Sequence, residues 1–179
     1  TAGKGTVSMK HDGWNIQANY YNGSLIDVHT RGRSSDSMDV SRIATFIPNT
    51  IPATGTVKVV MELTISKVNF VQCKRLYNCA SPRSAVHTII AHPESYDLLS
   101  MNAFDIHGFD LGGQCKFKVL QDWGFSVPDY IEVNNYTEIL GALQVLSDKN
   151  AMYAEPTDGA VYDGTCRRAM RVLAWEEPI

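Results

Sequence analysis

The sequence predicts an α+β fold in which antiparallel sheets are flanked by helices. Two short runs with strand-like alternation, residues 14–21 and 25–30, are joined by Asn22-Gly23. Asn-Gly between such runs is a strong hairpin signal, because both residues tolerate a positive φ. Residues 57–63 form another strand-like run, and residues 138–146 carry apolar side chains at helical spacing. A hairpin, a further strand and a helix together indicate the α+β class.

Two basic residues flank the predicted hairpin. Lys10-His11-Asp12-Gly13 precedes its first strand, and Thr30-Arg31-Gly32 ends its second. From this order of strands and turns we expect Lys10 and Arg31 to project from neighbouring strands into one pocket. Lys-x-Asp-Gly alone is a short pattern, and a solvated lysine beside an ordinary hairpin is the simpler interpretation of it.

The middle of the chain adds three candidate features. Glu62 lies near the end of the run 57–63, where a carboxylate among apolar strand residues is costly unless it has a partner. Ser81 and Pro82 suit the N-cap and the first turn of a helix. Residues 98–106 predict a buried strand that contains Phe104, for which a place in the core is the simple interpretation.

The C-terminal third predicts a helix and then strands. Thr137 is a plausible N-cap, and an apolar stripe that should face the core follows it: Ile139, Leu143 and Leu146. Residues 170–175 predict the last strand, and Asp158-Gly159 lies between the helix and that strand.

Composition predicts one globular domain over residues 1–179. Hydrophobic residues make up 44% of the chain and charged residues 20%, which are ordinary globular values. No apolar run approaches the roughly 18 residues of a membrane span, and no signal peptide is visible, so we expect a cytoplasmic protein with free thiols. The net charge of −3 does not favour tight binding of duplex phosphates by this chain alone.

Taken in order, these motifs resemble the adenylation (nucleotidyltransferase) domain of DNA ligases, most closely of the bacterial NAD-dependent kind. The resemblance extends from Lys10 to Pro178 and includes Ser81-Pro82-Arg83 and Asp158-Gly159. It implies the ligase-type fold, with a nucleotide pocket between antiparallel sheets. It also implies that Lys10 attacks the α-phosphorus of NAD, or alternatively of ATP, and carries AMP covalently before passing it to a DNA 5′-phosphate.

The resemblance assigns roles residue by residue. Lys10 and Asp12 would be catalytic, Glu62 would hold the ribose hydroxyls, and Phe104 would stack on adenine. Glu62 and Asp158 would lie near a catalytic Mg²⁺. The implied nucleotide-binding residues are Met9, Lys10, Arg31, Glu62, Arg83, Phe104 and Asp158.

The chain also departs from the family pattern. Ala91, Asp163 and Glu176 occupy positions where the family carries basic residues that bind phosphate. The resemblance covers neither the domain that recognises the nicotinamide half of NAD nor the OB-fold and helix-hairpin-helix parts that hold nicked DNA. We therefore expect a second ligase chain as partner, as in a split phage enzyme.

Two alternatives stay open at this point. One is a catalytically inactive nucleotide-binding or interaction protein on the ligase fold. The other is an ATP-dependent polynucleotide ligase, or a capping-type nucleotidyltransferase, since these enzymes share Lys-x-Asp-Gly.

Overall fold

The computed structural model of the chain describes residues 4–31, 38–164 and, for the backbone alone, 170–173. The described residues form an α+β fold with two antiparallel sheets, which confirms the predicted α+β class, while the ligase-type fold stays a prediction. The strands are β1 (Gly5–His11), β2 (Trp14–Tyr21), β3 (Ser24–Thr30), β4 (Thr56–Ile65), β5 (Leu99–His107), β6 (Tyr130–Val133), β7 (Thr157–Gly164) and β8 (Met170–Leu173). The α-helices are α1 (Lys67–Tyr77), α2 (Pro82–Ile90), α3 (Lys116–Asp122) and α4 (Tyr136–Asn150), and short 3-10 helices span Ser41–Phe46 and Pro93–Leu98.

The chain divides into two compact units. The terminal unit combines Thr1–Asp12 with Pro128–Ile179, and the central unit is Gly13–Val127. That residues 1–179 act as a single adenylation domain stays a prediction. The boundary between Asp12 and Gly13 falls inside the Lys-x-Asp-Gly motif.

The terminal unit is a four-stranded sheet in the order β6-β1-β7-β8, with α4 packed against it. Its core is formed by residues that alternate along the strands or recur along the helix: Val7, Met9, Val133, Ala142, Leu146 and Ala160. The predicted stripe of α4 is confirmed, because Leu146 is buried and Ile139 and Leu143 pack against this core.

The predicted N-cap of α4 is wrong. Asn135, not Thr137, caps the helix, and its side chain accepts a hydrogen bond from the Glu138 N–H at 2.9 Å. The Glu138 carboxylate in turn accepts from the Asn134 N–H at 2.6 Å. Asn is a preferred N-cap residue, and the acidic residue three positions after it accepts a second backbone N–H. These two hydrogen bonds fix the start of the helix two residues earlier than expected.

The central unit is a four-stranded sheet in the order β3-β2-β4-β5, with one face that forms the core and an opposite face that is mostly polar. The predicted hairpin is confirmed, with Asn22 at φ 45° and Gly23 at φ 84° between β2 and β3. Side chains of alternate strand residues, such as Ile16 and Met61, build the core. The other side chains of β2 and β4 point to the polar face.

Helix α2 covers the apolar face of the central sheet. Ser81 and Ser84 form a reciprocal capping box, and Pro82 occupies the first turn, as predicted. Ala85 and Ile89 lie in the same core cluster as the inward residues of β2 and β4.

Strand β5 is less buried than predicted. It starts at Leu99 and ends at His107, and within it only Ala103 and Ile106 are fully buried. Leu98 belongs to the preceding 3-10 helix. The strand is half-buried because one of its faces belongs to the polar side of the sheet. No helix within the described parts of the chain is both long and apolar enough to cross a membrane.

Candidate nucleotide-handling residues

The predicted site residues form two groups, one in each unit. The terminal unit contains Met9, Lys10, Asp12 and Asp158, and the central unit contains Arg31, Glu62, Arg83 and Phe104. One sequence-based expectation is corrected by the sheets. Strand β1 pairs with β6 and β7, whereas β3 pairs with β2, so Lys10 and Arg31 do not come from neighbouring strands. Alternation of apolar and polar residues along the sequence indicates a strand, but it does not show which sheet the strand joins.

Lys10 is joined to Asp158 by the pairing of β1 with β7. The Lys10 Nζ donates to both carboxylate oxygens of Asp158, each at 2.8 Å. The two side chains are 35% and 44% exposed. The sequence predicted both residues as parts of one site, and the structure brings them into direct contact.

A β-bulge produces this contact. Lys10 lies opposite Gly159 and His11 lies opposite Thr157, which leaves Asp158 as the extra residue on β7. Gly159 adopts a φ of 152°, a backbone conformation that glycine enters readily. Bulges bend a strand and re-aim its side chains. Here the bulge directs the Asp158 carboxylate to the amine of Lys10.

The strand that carries Lys10 is fixed on both sides of the lysine. The Met9 N–H donates to the Asp129 carbonyl at 2.9 Å, and the Asp12 N–H donates to the Pro156 carbonyl at 2.9 Å. The side chain of Met9 is only 2% exposed and lies in the core. Met9 thus holds the strand in place, and its contact with adenine stays a prediction.

The contact of buried His11 with half-buried Tyr153 is a feature that sequence reasoning missed. His11 is 6% exposed, and its Nε2 lies 2.8 Å from the Tyr153 Oη, which also accepts from the Asp129 N–H. Burial lowers the pKa of His11 despite the opposing effect of nearby carboxylates, and burial raises the pKa of Tyr153 to about 12. Nothing in the sequence connects these distant positions, since His11 is only the variable residue of Lys-x-Asp-Gly.

In the central unit, strand register places several polar residues in one row across the sheet. Asn15 lies opposite Glu62 on one side, and Glu62 lies opposite Asn102 on the other. The Arg31 N–H donates to the Asn15 carbonyl at 3.1 Å, which continues the row beyond the end of β3. Since the neighbouring residue Ile16 points into the core, this row lies on the polar face.

Glu62 is positioned by the glycine of Lys-x-Asp-Gly. Its Oε1 accepts a hydrogen bond from the Gly13 N–H at 3.1 Å. A Cβ added to Gly13 would lie 2.0 Å from the Leu63 carbonyl oxygen, so only glycine allows this approach. The expectation that a carboxylate at this strand position has a hydrogen-bond partner is confirmed.

Phe104 sits at a second bulge. Met61 lies opposite Ala103 and Val60 opposite Asp105, which leaves Phe104 as the extra residue on β5. Its side chain is half-buried and lies outside the buried core cluster of the unit. The alternative that Phe104 is an ordinary core residue is therefore disfavoured.

Arg83 is set apart from the row. It is exposed in the first turn of α2, and α2 packs on the apolar face. Ala91 is exposed at the C-cap of that helix, and Asp163 is half-buried on β7. Glu176 lies outside the described residues.

The thiols are structural in two cases. Cys73 and Cys79 are free thiols that are buried and in contact with each other. Burial, together with the hydrogen bond to Cys79, raises the pKa of Cys73 to about 12. Cys115 is free and half-buried. Cys166 lies outside the described residues.

Within the described ranges no three His, Cys, Asp or Glu side chains are placed together to hold a metal ion.

No protein-family model matches the chain, and no curated protein is significantly similar to it.

Proposed function

We propose that this chain is a nucleotidyltransferase that carries AMP on Lys10, and that it serves as the adenylation domain of an NAD-dependent DNA ligase. The observation that carries the proposal is the bulged contact between Lys10 and Asp158. It presents a lysine amine at the surface of a rigid sheet, with a carboxylate that orients it at 2.8 Å. A structural lysine needs no such device, whereas a nucleophile must be held in a defined direction.

The chemistry follows from the properties of the amine. Lysine side chains are almost entirely protonated at neutral pH, so a nucleophilic lysine must first lose a proton. The pair between Lys10 and Asp158 is partly exposed, and such pairs contribute only about 0.2–1 kcal/mol, so an arriving nucleotide can replace one of its two hydrogen bonds at little cost while the other keeps the amine oriented. The Lys10 ammonium loses a proton to solvent, and its nitrogen bonds to the α-phosphorus. The phosphorus–oxygen bond to nicotinamide mononucleotide or pyrophosphate breaks, the leaving oxygen takes the electron pair, and the second amine proton goes to solvent.

The polar row of the central unit supports a nucleoside-binding role. Glu62 is held by Gly13 in a position where its carboxylate can accept hydrogen bonds from ribose hydroxyls. Phe104 projects from a bulge, outside the core, as a stacking residue for adenine should. Arg31 stands at the end of the same row and supplies positive charge for phosphate.

Magnesium fits Asp158 better than Glu62. This ion is usually held by one or two carboxylates together with substrate phosphates and water. Both oxygens of Asp158 accept from Lys10 and one oxygen of Glu62 accepts the Gly13 N–H, but Asp158 is exposed and its pair with Lys10 is weak, whereas Glu62 is half-buried. When bound, the ion would neutralise charge on the α-phosphoryl group.

We infer that DNA sealing uses a second chain together with this one. The net charge of −3 supports a second ligase chain that supplies the basic grip on nicked DNA through OB-fold and helix-hairpin-helix parts. On this proposal the described units carry out the adenylation step, and the partner chain binds the nicked DNA.

Intact-mass measurement tests the adenylation step directly. The protein is incubated with Mg²⁺ and NAD, ATP or GTP, with and without candidate partner chains, and an added AMP is expected from NAD. Lys10→Ala should abolish the added mass because it removes the amine. Lys10→Arg should abolish it too, because a guanidinium stays protonated. Lys74→Ala is the matched control, since Lys74 is an exposed lysine on α1. Adduct from ATP but not NAD would point to the ATP-dependent alternative.

A second candidate is a nucleotide-binding protein without catalysis. It is favoured by Ala91 and Asp163, which stand where the family carries phosphate-binding arginine and lysine. Calorimetry would then detect nucleotide binding, while no combination of nucleotide and partner would add mass to Lys10.

A further inference from the structure

The end of helix α4 contacts both strands at the bulge that carries Asp158. On β1, the His11 Nε2 lies 2.8 Å from the Tyr153 Oη, and the two rings meet edge to face with centroids 5.5 Å apart. On β7, the Thr157 hydroxyl donates to the carboxamide of Asn150, the last residue of α4. His11 and Thr157 are the pair that borders the register shift. The end of α4 therefore holds both strands beside the bulge.

The bulge lies directly beside Lys10. Its extra residue is outside the hydrogen-bonded ladder, so strand pairing is weaker at this point than elsewhere in the sheet. Lys10 is the last residue of β1 before the shift, and its side chain lies on the face opposite that of His11. The direction of the Lys10 amine thus depends on a part of the sheet that needs support from neighbouring residues.

Asp129 extends this support to the other side of Lys10. Its N–H donates to the Tyr153 Oη at 3.3 Å, and its carbonyl accepts the Met9 N–H at 2.9 Å. Its carboxylate accepts from the Lys149 Nζ at 2.6 Å. Tyr153 is therefore bonded to the residue that follows Lys10 and, through Asp129, to the residue that precedes it.

His11 is an unfavourable residue for a position that serves packing alone. It is 6% exposed on the core side of β1, where Val7 and Met9 are apolar. Its Nδ1 is buried and has no hydrogen-bond partner among the described residues. An apolar side chain of similar size would avoid the free-energy cost of that atom. Residues that break such packing rules are typical of functional sites.

We propose that His11 and Tyr153 are positioning residues, whose contact fixes β1 at the bulge and thereby keeps the Lys10 amine directed at Asp158. Because the His11 ring and the Lys10 side chain lie on opposite faces, the ring acts through the backbone that the two residues share. The inference deepens the proposed function and rests on it only for what the amine attacks.

Acetylation of Lys10 by limiting acetic anhydride measures the direction of the amine without a nucleotide. The hydrogen bonds to Asp158 must open before the nitrogen can attack the reagent. Tyr153→Phe removes only a hydroxyl, and it should speed acetylation of Lys10 relative to Lys74 by about threefold, a size that the loss of a partly exposed pair allows. Peptide mass mapping gives both rates.

Asp158→Asn should speed the acetylation of Lys10 as well. Adding Tyr153→Phe to that variant should bring no further increase, because both changes act on the same pair. A general loss of stability would instead add its effect in either background, and thermal melting verifies that each variant is folded.

Tyr136→Phe is the matched control, since Tyr136 is an exposed tyrosine on α4 of the same unit. His11→Gln and His11→Leu test the hydrogen bond itself. The glutamine amide can still bond to Tyr153 and should keep the rate of the unaltered protein, whereas leucine packs without bonding and should match Tyr153→Phe. If His11→Leu does not fold, Tyr153→Phe decides.

The same variants show whether the direction of the amine matters for AMP attachment. Tyr153→Phe should slow attachment from NAD by about tenfold, because a misdirected nucleophile reacts slowly. The KM for NAD should change by less than about twofold, since the ground-state contacts of the nucleotide are kept. Unchanged acetylation of Lys10 in Tyr153→Phe, or faster acetylation with an unchanged rate of AMP attachment, would overturn the inference.

These measurements separate the inference from the proposed function. If acetylation of Lys10 responds as expected but no nucleotide adds AMP to the unaltered protein, the positioning of the amine stands and the adenylation function fails. If AMP is attached and neither rate responds to Tyr153→Phe, the positioning role alone fails.

Discussion

Asp158→Asn should separate the stability of the terminal unit from its chemistry. The substitution keeps the side-chain shape and removes the charge that faces Lys10 at 2.8 Å. Two charges about 4 Å apart attract by only about 1 kcal/mol in water, and exposed ion pairs contribute about 0.2–1 kcal/mol to stability. With side chains 35% and 44% exposed, the pair belongs to this weak class. We expect the free energy of unfolding to change by less than about 1 kcal/mol.

The rate of AMP attachment should respond far more. Loss of a group that orients a nucleophile commonly costs about a hundredfold in rate, which is about 2.7 kcal/mol of activation free energy. Urea unfolding measures the first quantity, and the time course of the AMP adduct by intact mass measures the second. Asp148→Asn is the control, because Asp148 is an exposed carboxylate on α4 of the same unit, bonded to Gln144 at 2.8 Å. An unchanged adduct rate, or a stability loss well above 1 kcal/mol, would refute the reasoning.

Further predictions concern the buried groups. Burial lowers the pKa of His11 in the folded protein, so His11 binds a proton more readily in the unfolded chain. The free energy of unfolding should therefore fall as the pH drops below about 6.5, the ordinary pKa of histidine. For one proton the fall is at most about 1.4 kcal/mol per pH unit. Denaturant midpoints between pH 5 and 8 measure this, and an equal slope in His11→Gln would contradict it. Gly13→Ala should destabilise by about 1–3 kcal/mol or more, because its Cβ would overlap the backbone of β4, whereas Gly141→Ala, which has open space, should be neutral or slightly stabilising; urea unfolding compares them. Iodoacetamide at pH 8 should label Cys115 before Cys73, whose burial raises its pKa to about 12, as peptide mass mapping would show; equal labelling would mean that α1 opens readily.

Features that depend on neighbouring residues could be predicted from the sequence. The turn at Asn22-Gly23 forms as expected because both residues accept a positive φ. Helix α2 begins as expected because Ser81 and Pro82 satisfy the requirements of its first turn without help from distant residues. The start of α4 was mispredicted because Asn135 and Thr137 are both good caps, and the competition is decided by Glu138 reaching back to Asn134.

Features that depend on strand pairing could not be predicted. Alternation places β1 and β3 as strands but does not show that they belong to different sheets. The partner of Glu62 was expected from the cost of burying a carboxylate, yet its identity, the Gly13 N–H, depends on the register of β2 with β4. The row that includes Asn15 and Asn102 is invisible in the sequence for the same reason, since its members are far apart along the chain.

Two of the three bulges in the described sheets coincide with candidate site residues, and this links the local sequence to the proposed chemistry; the third leaves Ile26 as the extra residue on β3. A regular strand alternates its side chains strictly between two faces, so a residue beside a core position can reach only the opposite face. An inserted residue escapes that rule and can be aimed independently of its neighbours. Asp158 on β7 and Phe104 on β5 are such residues. Deleting a neighbouring residue of the same strand should restore regular pairing and turn the Asp158 or Phe104 side chain to a different direction, so the aim of Asp158 at Lys10 is a property of register rather than of residue type.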